Sequence, residues 1–453
     1  MGRNGIGKMN EENGIGMMNG ENGIEMMNGE NEIEKMIVEN EIDQADSDTV
    51  IVNKNKENAR QRVIREKSHI EEGFQIEEGF QIERETLYWY WISKIEAIGV
   101  RTIKKLLSDF QSIEAIFYAS EEELLTLEYI TDEMRGKLLG DKSIEKLIDE
   151  LRWLHLRGIY FITYEDDKFP QRLLDIYEAP YFLYYRGELP MDSLPSIAII
   201  GARDCSTYGS ELARYFAKEL VQYGVQIVSG LARGVDGQAH RGALDAKGKT
   251  YGVIGNGVDI CYPKENYSLF EQLKVSGGIL SEYPMKSRAL SFHFPMRNRL
   301  IAGLSDGIFV IEAREKSGSL ITVDRGLEQG KDIYALPGRV NDALSKGCNN
   351  LIQNGAKLVQ EPLDIIVELR SQYASYFADY GKKHQPVTVD EEQEVLSKKE
   401  NRILETLSLT PKHVEMIVID TKLPIADVIE ALTMMELTGR VYQVLAQCYV
   451  KRM

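Results

Sequence analysis

Residues 226–240 read QIVSGLARGVDGQAH, a short apolar segment that runs into a glycine-rich turn and then into a helical pattern. Residues 196–212, SIAIIGARDCSTYGSEL, repeat the same order of apolar segment, glycine-started loop and helical pattern. Short apolar strands that alternate with amphipathic helices are typical of a parallel α/β sheet. The sequence therefore predicts a Rossmann-like domain.

Six strands are predicted for the sheet of this domain. They are Ile197–Ile200, Gln226–Val228, Tyr251–Ile254, Ile279–Leu280, Ile308–Ile311 and Ile333–Leu336. Between the first two, Leu212, Phe216 and Leu220 recur at helical spacing and form an apolar face. Such a face has to pack on the sheet.

The remaining segments predict four further parts of the chain. Residues 1–85 hold short repeats, such as MNGENGIEM from Met18, with 20 acidic against 10 basic side chains, and they predict a disordered acidic tail. The predicted domains are a small helical domain at 86–160, the Rossmann-like domain at 161–370 with its core at 190–360, a charged, tyrosine-rich linker at 371–398 and a winged helix at 399–453.

The charge balance limits the kind of nucleic-acid site that the chain can hold. The 453 residues carry a net charge of −17, which argues against a protein that coats polyanions by bulk charge. Residues 196–368 hold 20 basic and 19 acidic side chains, so an anion-binding site is expected there and must be local.

Cysteine use and hydropathy predict the compartment. The four cysteines are scattered singly, which argues against a disulfide framework or a zinc site. Apolar runs stay short of a membrane span of roughly 18 residues, and the N-terminus lacks a hydrophobic signal region. We expect a soluble cytoplasmic protein that uses no metal and no cofactor.

The first strand ends in Gly201-Ala202-Arg203, which opens a loop that enters a helix. Backbone N–H groups of such a loop bind phosphate, and an arginine adds a two-pronged donor. The second strand ends in Ser229-Gly230, without the acidic residue that holds an NAD ribose, and the G-x-G-x-x-G fingerprint is missing. An NAD-dependent dehydrogenase is therefore excluded.

The second loop adds Arg233, Asp236 and His240 to the same crevice. Asp236 and His240 stand four residues apart on a helix, so they could form an acid–base pair. Alternatively, Asp236 caps the helix and His240 packs in the core. The sequence leaves both interpretations open.

The later strand ends bring cations, aromatic rings and hydroxyl groups. Lys264 lies between Tyr262 and Tyr267, a pattern that suits a sugar-phosphate strand with stacked bases, and Asn266 follows it. Arg297, Asn298 and Arg299 begin another helix, and their arginines need either an anionic ligand or the protein's own carboxylates, such as Glu282 and Glu312. Ser317, Gly318 and Ser319 predict a second phosphate cradle or a simple helix cap.

Both flanking domains have two possible roles. Ile98-Gly99-Val100-Arg101 resembles the turn of a helix-hairpin-helix, but Arg101 replaces its second glycine, so packing is favoured over duplex binding. The third helix of the winged helix contains Asp427, Glu430 and Glu436 and no basic residue, which favours contact with a protein over reading of a duplex.

Taken in order, the motifs of residues 190–360 resemble those of the DNA-processing protein A (DprA/Smf) family. The matching motifs are SGLARGVDGQAHRGAL (229–244), YPKEN (262–266), SEYP (281–284), FPMRNRLIAG (294–303), EAREKSGSLIT (312–322), ALPG (335–338) and KGCNNLIQNGA (346–356). The chain departs from the family in its first loop, where Ala202 replaces the usual serine and Cys205 a usual proline. The helical and winged-helix domains are also similar to the family's flanking modules.

The resemblance implies a non-enzymatic protein that binds single-stranded DNA independently of sequence. It further implies a homodimer formed through the Rossmann-like domain, which protects incoming DNA and loads the recombinase RecA during natural transformation. The positions that match the family's DNA contacts are Arg203 and Lys264, followed by Arg233, Asn266, Arg297 and Asn298.

Two alternatives come from other classes of protein. The first is a nucleotide sensor that signals through its winged helix. The second is an enzyme, because the fold resembles phosphoribohydrolases with a P-G-G-x-G-T-x-x-E loop. This chain has Pro337-Gly338-Arg339 and Ser317-Gly318-Ser319 instead, without that glutamate.

Overall fold

The computed structural model describes residues 74–77, 80–383, 397–408 and 410–451. Most of the predicted acidic tail, including its nine-residue repeats, lies outside these residues. Strands β1 (Phe74–Glu77) and β2 (Phe80–Ile82) form an antiparallel pair. The last part of the segment predicted as a tail therefore contains a two-stranded ribbon.

Six helices form the small domain that follows. They are α1 (Arg84–Ser93), α2 (Val100–Phe110), α3 (Ile113–Tyr118), α4 (Glu121–Leu125), α5 (Asp132–Leu138) and α6 (Ile144–His155). Helix α1 is buried on all sides from Leu87 to Ser93, as expected for a helix that is apolar all round. Its Trp89 ring stacks on Tyr181 with the ring centroids 5.2 Å apart, which joins this domain to the sheet.

A nine-stranded sheet with helices on both faces forms the central domain. Its elements are β3 (Tyr160–Thr163), β4 (Phe182–Gly187), β5 (Ser196–Ile200), α7 (Thr207–Gln222), β6 (Gln226–Ser229), α8 (Val235–Asp245), β7 (Thr250–Val253), α9 (Tyr267–Ser276), β8 (Gly277–Ser281), α10 (His293–Gly303), β9 (Gly307–Val310), α11 (Gly318–Glu328), β10 (Asp332–Ala335), α12 (Lys346–Gln353) and β11 (Lys357–Leu358). The strand order is β11-β10-β9-β5-β6-β7-β8-β4-β3.

The predicted fold class is confirmed, and all six predicted strands are present as β5 to β10. The sequence analysis did not predict the other three strands of this sheet, β3, β4 and β11. Strand β4 pairs antiparallel with β8, and β3 pairs antiparallel with β4, so the two strands extend the sheet at one edge. The two-residue β11 extends it at the other. Their pairing depends on contacts distant in sequence, which local patterns do not reveal.

Side chains alternate between the two faces of the sheet with the period of two that a strand imposes. Ile197 and Ile199 of β5 pack against α7 and α8 on one face. Ala198 and Ile200 face the other side, where Leu300 of α10 lies in the same apolar cluster. Because both faces are covered, the strands are apolar throughout, which is why the sequence identified them.

The segment at 371–398, predicted as a linker, begins with regular structure. Helix α13 (Pro362–Gln372) is followed directly by α14 (Ala374–Lys383). The Tyr373 hydroxyl donates to Asp306 Oδ1 (3.0 Å), and the Tyr376 hydroxyl donates to the carbonyl of Gly224 (3.0 Å). The tyrosines that marked a linker in the sequence thus anchor this segment to the sheet domain.

The last unit is a winged helix, as predicted. It consists of α15 (Lys398–Thr406), β12 (Lys412–His413), α16 (Val414–Thr421), α17 (Ile425–Leu437), β13 (Val441–Leu445) and β14 (Cys448–Lys451). Helix α17 ends at Leu437, and Gly439 follows it with a positive φ of 70°, which allows the chain to turn into the hairpin β13–β14. Among the described helices, none is both long and apolar enough to cross a membrane.

Arg172 ties the sheet to its surrounding loops and provides a test of the fold. Its guanidinium donates to the carbonyls of Asp192 (3.0 Å) and Leu194 (2.8 Å) and pairs with Asp306 (3.3 Å). We expect Arg172→Leu to lower the free energy of unfolding by about 2–4 kcal/mol, because it removes the ion pair of a largely buried carboxylate and the guanidinium's hydrogen bonds to two carbonyls. Urea denaturation measures this change. The exposed Arg370→Leu is the matched control, and an equal effect of both variants would contradict the role of Arg172.

Candidate nucleic-acid interface

Strands β5, β6 and β7 lie side by side and parallel, so the loops after them emerge at the same edge of the sheet. We call this edge the strand-end crevice and define it by three loops, residues 201–206, 230–234 and 255–267. The start of α10 packs against it, because a Cβ at Gly255 would lie 3.3 Å from both the His293 Cβ and the Phe294 ring. The predicted site residues of these loops are therefore brought together.

A buried carboxylate from the neighbouring strand holds the first loop. The backbone N–H and the hydroxyl of Ser206 donate to the Glu312 carboxylate at 2.8 and 2.5 Å. The Ala202 N–H donates to the Glu312 carbonyl (2.8 Å). Arg203 takes no part in these bonds and is exposed. Glu312 thus fixes the first loop, and the guanidinium of Arg203 remains exposed to solvent.

The second loop sits directly on the first. The Val235 N–H donates to the Ala202 carbonyl (3.2 Å). A Cβ at Gly234 would lie 2.3 Å from that carbonyl oxygen, and φ is +72° there, so the contact requires glycine. This close approach places the exposed Arg233 on the loop next to Arg203.

Asn266, a predicted DNA contact, is buried and works as a clamp. Its side-chain amide donates to the carbonyls of Leu231 and Ala232, both at 3.1 Å. Its Oδ1 accepts from Arg241 (3.1 Å). The third loop is thereby locked onto the second, and Lys264, two residues earlier, remains exposed.

Arg297 is buried beneath the second loop, with 5% of its surface exposed. It donates to the carbonyls of Gly230 and Val253, which lie at the ends of β6 and β7. Asp236 approaches the same glycine and accepts from the Gly230 N–H (3.1 Å). A Cβ at Gly230 would lie 2.7 Å from Asp236 Oδ2 and 2.9 Å from the Arg297 guanidinium, so glycine is required here as well.

Burial shifts the pKa values of both groups. Burial lowers the pKa of Arg297 to about 10, although the charge of Asp236 opposes this shift. Burial also raises the pKa of Asp236, against the opposing charge of Arg297. Two predicted contacts next to them are buried too: the Asn298 Oδ1 accepts from Arg297 Nε (3.3 Å), and the Ser229 hydroxyl donates to the Ile199 carbonyl (2.6 Å). These side chains support the crevice from below.

The second arginine of α10 has a partner within the protein. Arg299 forms a two-pronged pair with Glu282, with N–O distances of 2.5 and 2.7 Å. Its Nε donates to the Glu178 carbonyl (2.9 Å). Of the two explanations offered for this arginine, the protein's own carboxylate is the one observed.

Asp236 and His240 use their side chains for different contacts. The Thr250 hydroxyl donates its hydrogen to the Ile227 carbonyl (3.0 Å). His240 Nδ1 lies 2.6 Å from that hydroxyl, so in the neutral ring Nδ1 carries the hydrogen and donates it to the hydroxyl oxygen. His240 is fully buried, and its pKa is lowered to about 3, mainly by burial. Asp236 instead bonds the Gly230 N–H. The geometry favours the structural interpretation of both residues over an acid–base pair.

Aromatic rings line the exposed part of the crevice. The Phe294 ring stacks on Tyr262 with centroids 5.8 Å apart, and the Arg203 guanidinium lies 5.4 Å from the Phe294 centroid. Tyr262 is 46% exposed and Tyr267 is 61% exposed. Arg203 of the first loop, Tyr262 of the third loop and Phe294 of α10 therefore form one surface, and Lys264 lies two residues after Tyr262.

Ser317 and Ser319 behave as a helix cap. The Ser317 hydroxyl accepts from the Ser319 N–H (3.4 Å) and lies 2.8 Å from the Ser319 hydroxyl. A Cβ on Gly318 would meet open space, so this helix start is accessible. The capping interpretation is observed, and the second phosphate cradle stays a prediction.

The flanking domains present different surfaces. Arg101 of the glycine turn forms an ion pair with Glu178 of the sheet domain, which fits packing better than phosphate binding. In the winged helix, Ile425, Ile429 and Leu437 of α17 are exposed. Exposed apolar side chains beside the exposed carboxylates of Glu430 and Glu436 favour the predicted protein contact over a duplex-reading role.

Sequence reasoning missed two positioning roles. The sequence suggested Glu312 as a partner for an arginine, but its carboxylate anchors Ser206. Nothing in the sequence indicated that the Phe294 ring contacts both Arg203 and Tyr262. An acidic residue that directly ends an apolar strand was the only signal for Glu312.

Fold and site together define a Rossmann-like protein whose strand ends offer cations and aromatic rings to an anionic ligand, with a winged helix attached. Residues 160–370 match the family described as DNA recombination-mediator protein A, and residues 384–444 match the DprA winged helix domain. The chain belongs to this DprA/Smf family, as its motifs predicted.

Individual relatives agree with this assignment. The DNA processing protein DprA of Streptococcus pneumoniae is 46% identical over 203 residues, which cover 45% of this chain and 72% of that protein. Protein Smf of Synechocystis sp. is 32% identical over 399 residues, 81% of this chain and 99% of that protein. The X-ray structure of the Streptococcus pneumoniae DprA superposes with a TM-score of 0.56 at 35% identity, covering 63% of this chain and 99% of that chain.

The buried, neutral His240 predicts a dependence of stability on pH. Unfolded histidine takes up a proton near pH 6.5, whereas folded His240 does so only near pH 3, so stability falls as the pH drops between these values. Between pH 7.5 and 5 we expect His240 to contribute a loss of about 2 kcal/mol. The check is urea denaturation of the wild type and His240→Leu at several pH values. Identical pH slopes for the two proteins would refute the prediction.

Proposed function

We propose that this protein binds single-stranded DNA in the strand-end crevice, without reading its sequence. The observation that carries this proposal is that the polar side chains of the crevice fall into two groups, one that holds the loops and one that is exposed. Glu312, Asn266 and Arg297 make the bonds that hold the loops, as described above. Arg203, Arg233 and Lys264 project from the same loops and are exposed. Exposed cations on a rigid edge suit a chain of phosphates.

The aromatic side chains favour a single strand as the ligand. Tyr262 and Tyr267 flank Lys264 and expose large parts of their rings. Unpaired bases stack on such rings, whereas the bases of a duplex are already stacked on one another. Every base has an aromatic face, so a site of this kind does not depend on sequence.

We propose that binding, and not catalysis, is the activity. The acid–base candidates Asp236 and His240 are both buried and engaged in holding the fold. The loop of the phosphoribohydrolases is not present in this sequence. A nucleotide sensor is the remaining alternative, because a phosphate cradle would also suit a small nucleotide.

The family assignment supports a role in recombination. The matched family is described as a DNA recombination-mediator protein, and relatives are named DNA processing proteins. We propose that the protein protects incoming single-stranded DNA in the cytoplasm and loads RecA onto it during natural transformation. We further propose that it acts as a homodimer formed through the Rossmann-like domain.

The binding proposal predicts the effect of removing the exposed cations. We expect Arg203→Ala and Lys264→Ala each to weaken binding of a single-stranded oligonucleotide about 10-fold, because each removes a charged phosphate contact. The slope of log affinity against log salt should become shallower by about 0.7 for each lost contact. Fluorescence anisotropy across a salt series, with duplex competitor, measures both quantities.

Lys104→Ala is the control, because it removes an exposed cation from α2, which is not one of the three loops of the crevice. It should leave the affinity unchanged. A folded wild type that ignores oligonucleotides but binds a small nucleotide saturably would replace this proposal with the sensor. Release of free adenine from AMP would instead indicate the hydrolase.

The RecA proposal has its own test. Single-stranded DNA coated with single-strand-binding protein resists RecA, so the wild type should shorten the lag of RecA's DNA-dependent ATP hydrolysis. Arg203→Ala should lose most of this effect, because the protein must first hold the strand. Lys104→Ala should keep it. Wild-type protein that binds the strand and leaves the lag unchanged would refute RecA loading alone.

A further inference from the structure

Three aromatic rings lie at the start of α10, next to the crevice but outside the rings already described. His293 stacks on Tyr283 with centroids 3.8 Å apart and an angle of 22° between the planes. Phe292 meets His293 edge to face, with centroids 4.5 Å apart. We call Tyr283, His293 and Phe292 the outer stack.

The outer stack is held rigidly. His293 Nδ1 lies 2.9 Å from the Gly255 carbonyl at the end of β7. A Cβ at Gly255 would come within 3.3 Å of the His293 Cβ, so the start of α10 lies directly on this strand end. Burial lowers the pKa of His293, which favours the uncharged form of its ring. A rigid ring surface loses little conformational freedom when it binds a ligand.

Phe292 is 63% exposed, although its side chain has no polar group that could hydrogen-bond to water. The fold does not need this ring in its core, because His293 and Tyr283 stack with each other beneath it. A large exposed ring beside a cationic crevice indicates a ligand with flat apolar faces.

The surroundings of the outer stack provide cations for such a ligand. Lys286 and Arg288 are exposed in the loop before α10. This loop is anchored, because the Lys286 N–H donates to Asp259 Oδ1 (3.0 Å) and the Gly257 N–H donates to the Ser287 carbonyl (3.0 Å). Rings and cations on one ordered surface are the combination that binds unpaired bases and their phosphates.

We infer that the outer stack is a second base-stacking site, which extends the path of single-stranded DNA beyond the crevice. His293 of the outer stack and Phe294 both lie against Gly255, and Phe294 already belongs to the ring surface with Arg203 and Tyr262. A strand held at Lys264 would continue over Phe294 to Phe292, and Arg288 would meet its phosphates. This inference rests on the proposed single-stranded DNA binding and adds a separate set of nucleotides to it.

Phe292→Ala tests the inference on thymidine oligonucleotides of increasing length. For long oligonucleotides we expect affinity to fall by about 5- to 30-fold, the loss of one base–aromatic stack. The shortest oligonucleotide that still binds should lose nothing, because it fills the crevice alone. Phe292→Trp should restore the affinity. Tyr177→Ala, which removes another exposed ring of the sheet domain, is the control and should have no effect at any length.

A second readout follows the stacking itself. Oligonucleotides with 2-aminopurine at successive positions should show quenched fluorescence at positions beyond the crevice, and Phe292→Ala should remove that quenching alone. Equal loss of affinity at every length, or no loss at all, would overturn the second site while leaving single-stranded DNA binding intact. A wild type that binds none of the oligonucleotides would overturn the proposed function as well.

Discussion

The buried Arg297 is the contact on which the strand-end crevice depends. The last carbonyl groups of parallel strands point beyond the end of the sheet. Each such carbonyl that is buried without a hydrogen-bond donor would lower the stability of the fold by about 1–3 kcal/mol. Arg297 supplies donors to the carbonyls of Gly230 and Val253 at the ends of β6 and β7. Asp236 lies on the other side of Gly230, bonds its N–H and compensates the buried charge.

This arrangement separates two sets of charged side chains in one crevice. Arg297, Arg299 and Glu312 form the buried set. Arg297 donates to strand-end carbonyls, Arg299 pairs with Glu282, and Glu312 accepts from Ser206. Arg203 and Lys264 are exposed on loops that Glu312 and Asn266 hold. A loop whose own hydrogen bonds are complete does not have to rearrange to meet a ligand, so the exposed cations are preorganised. The cationic edge is local, and it lies in a chain whose net charge is −17.

Flanking domains extend the sheet domain in different ways. Helix α1 is buried on all sides and carries Trp89 against Tyr181, so the helical domain is built into the antiparallel edge of the sheet. The winged helix has its own small core, in which Ile403, Ile417 and Leu432 are buried. Its α17 exposes Ile425, Ile429 and Leu437. The structure thus combines a rigid cationic edge of the sheet with a separate winged-helix module.

The sequence by itself determined six parallel strands of the sheet, their order along the chain and the family. Buried parallel strands are apolar throughout and end in glycine-rich loops, and that pattern is local. The roles of the polar residues were decided by the tertiary structure. Arg203 and Arg297 were both predicted as DNA contacts, yet one is exposed and the other lies beneath Gly230. Asn266 clamps a loop more than thirty residues away, and His240 turns to Thr250 instead of Asp236. A side chain's role depends on which distant backbone groups it must satisfy, and only the folded chain brings those groups together.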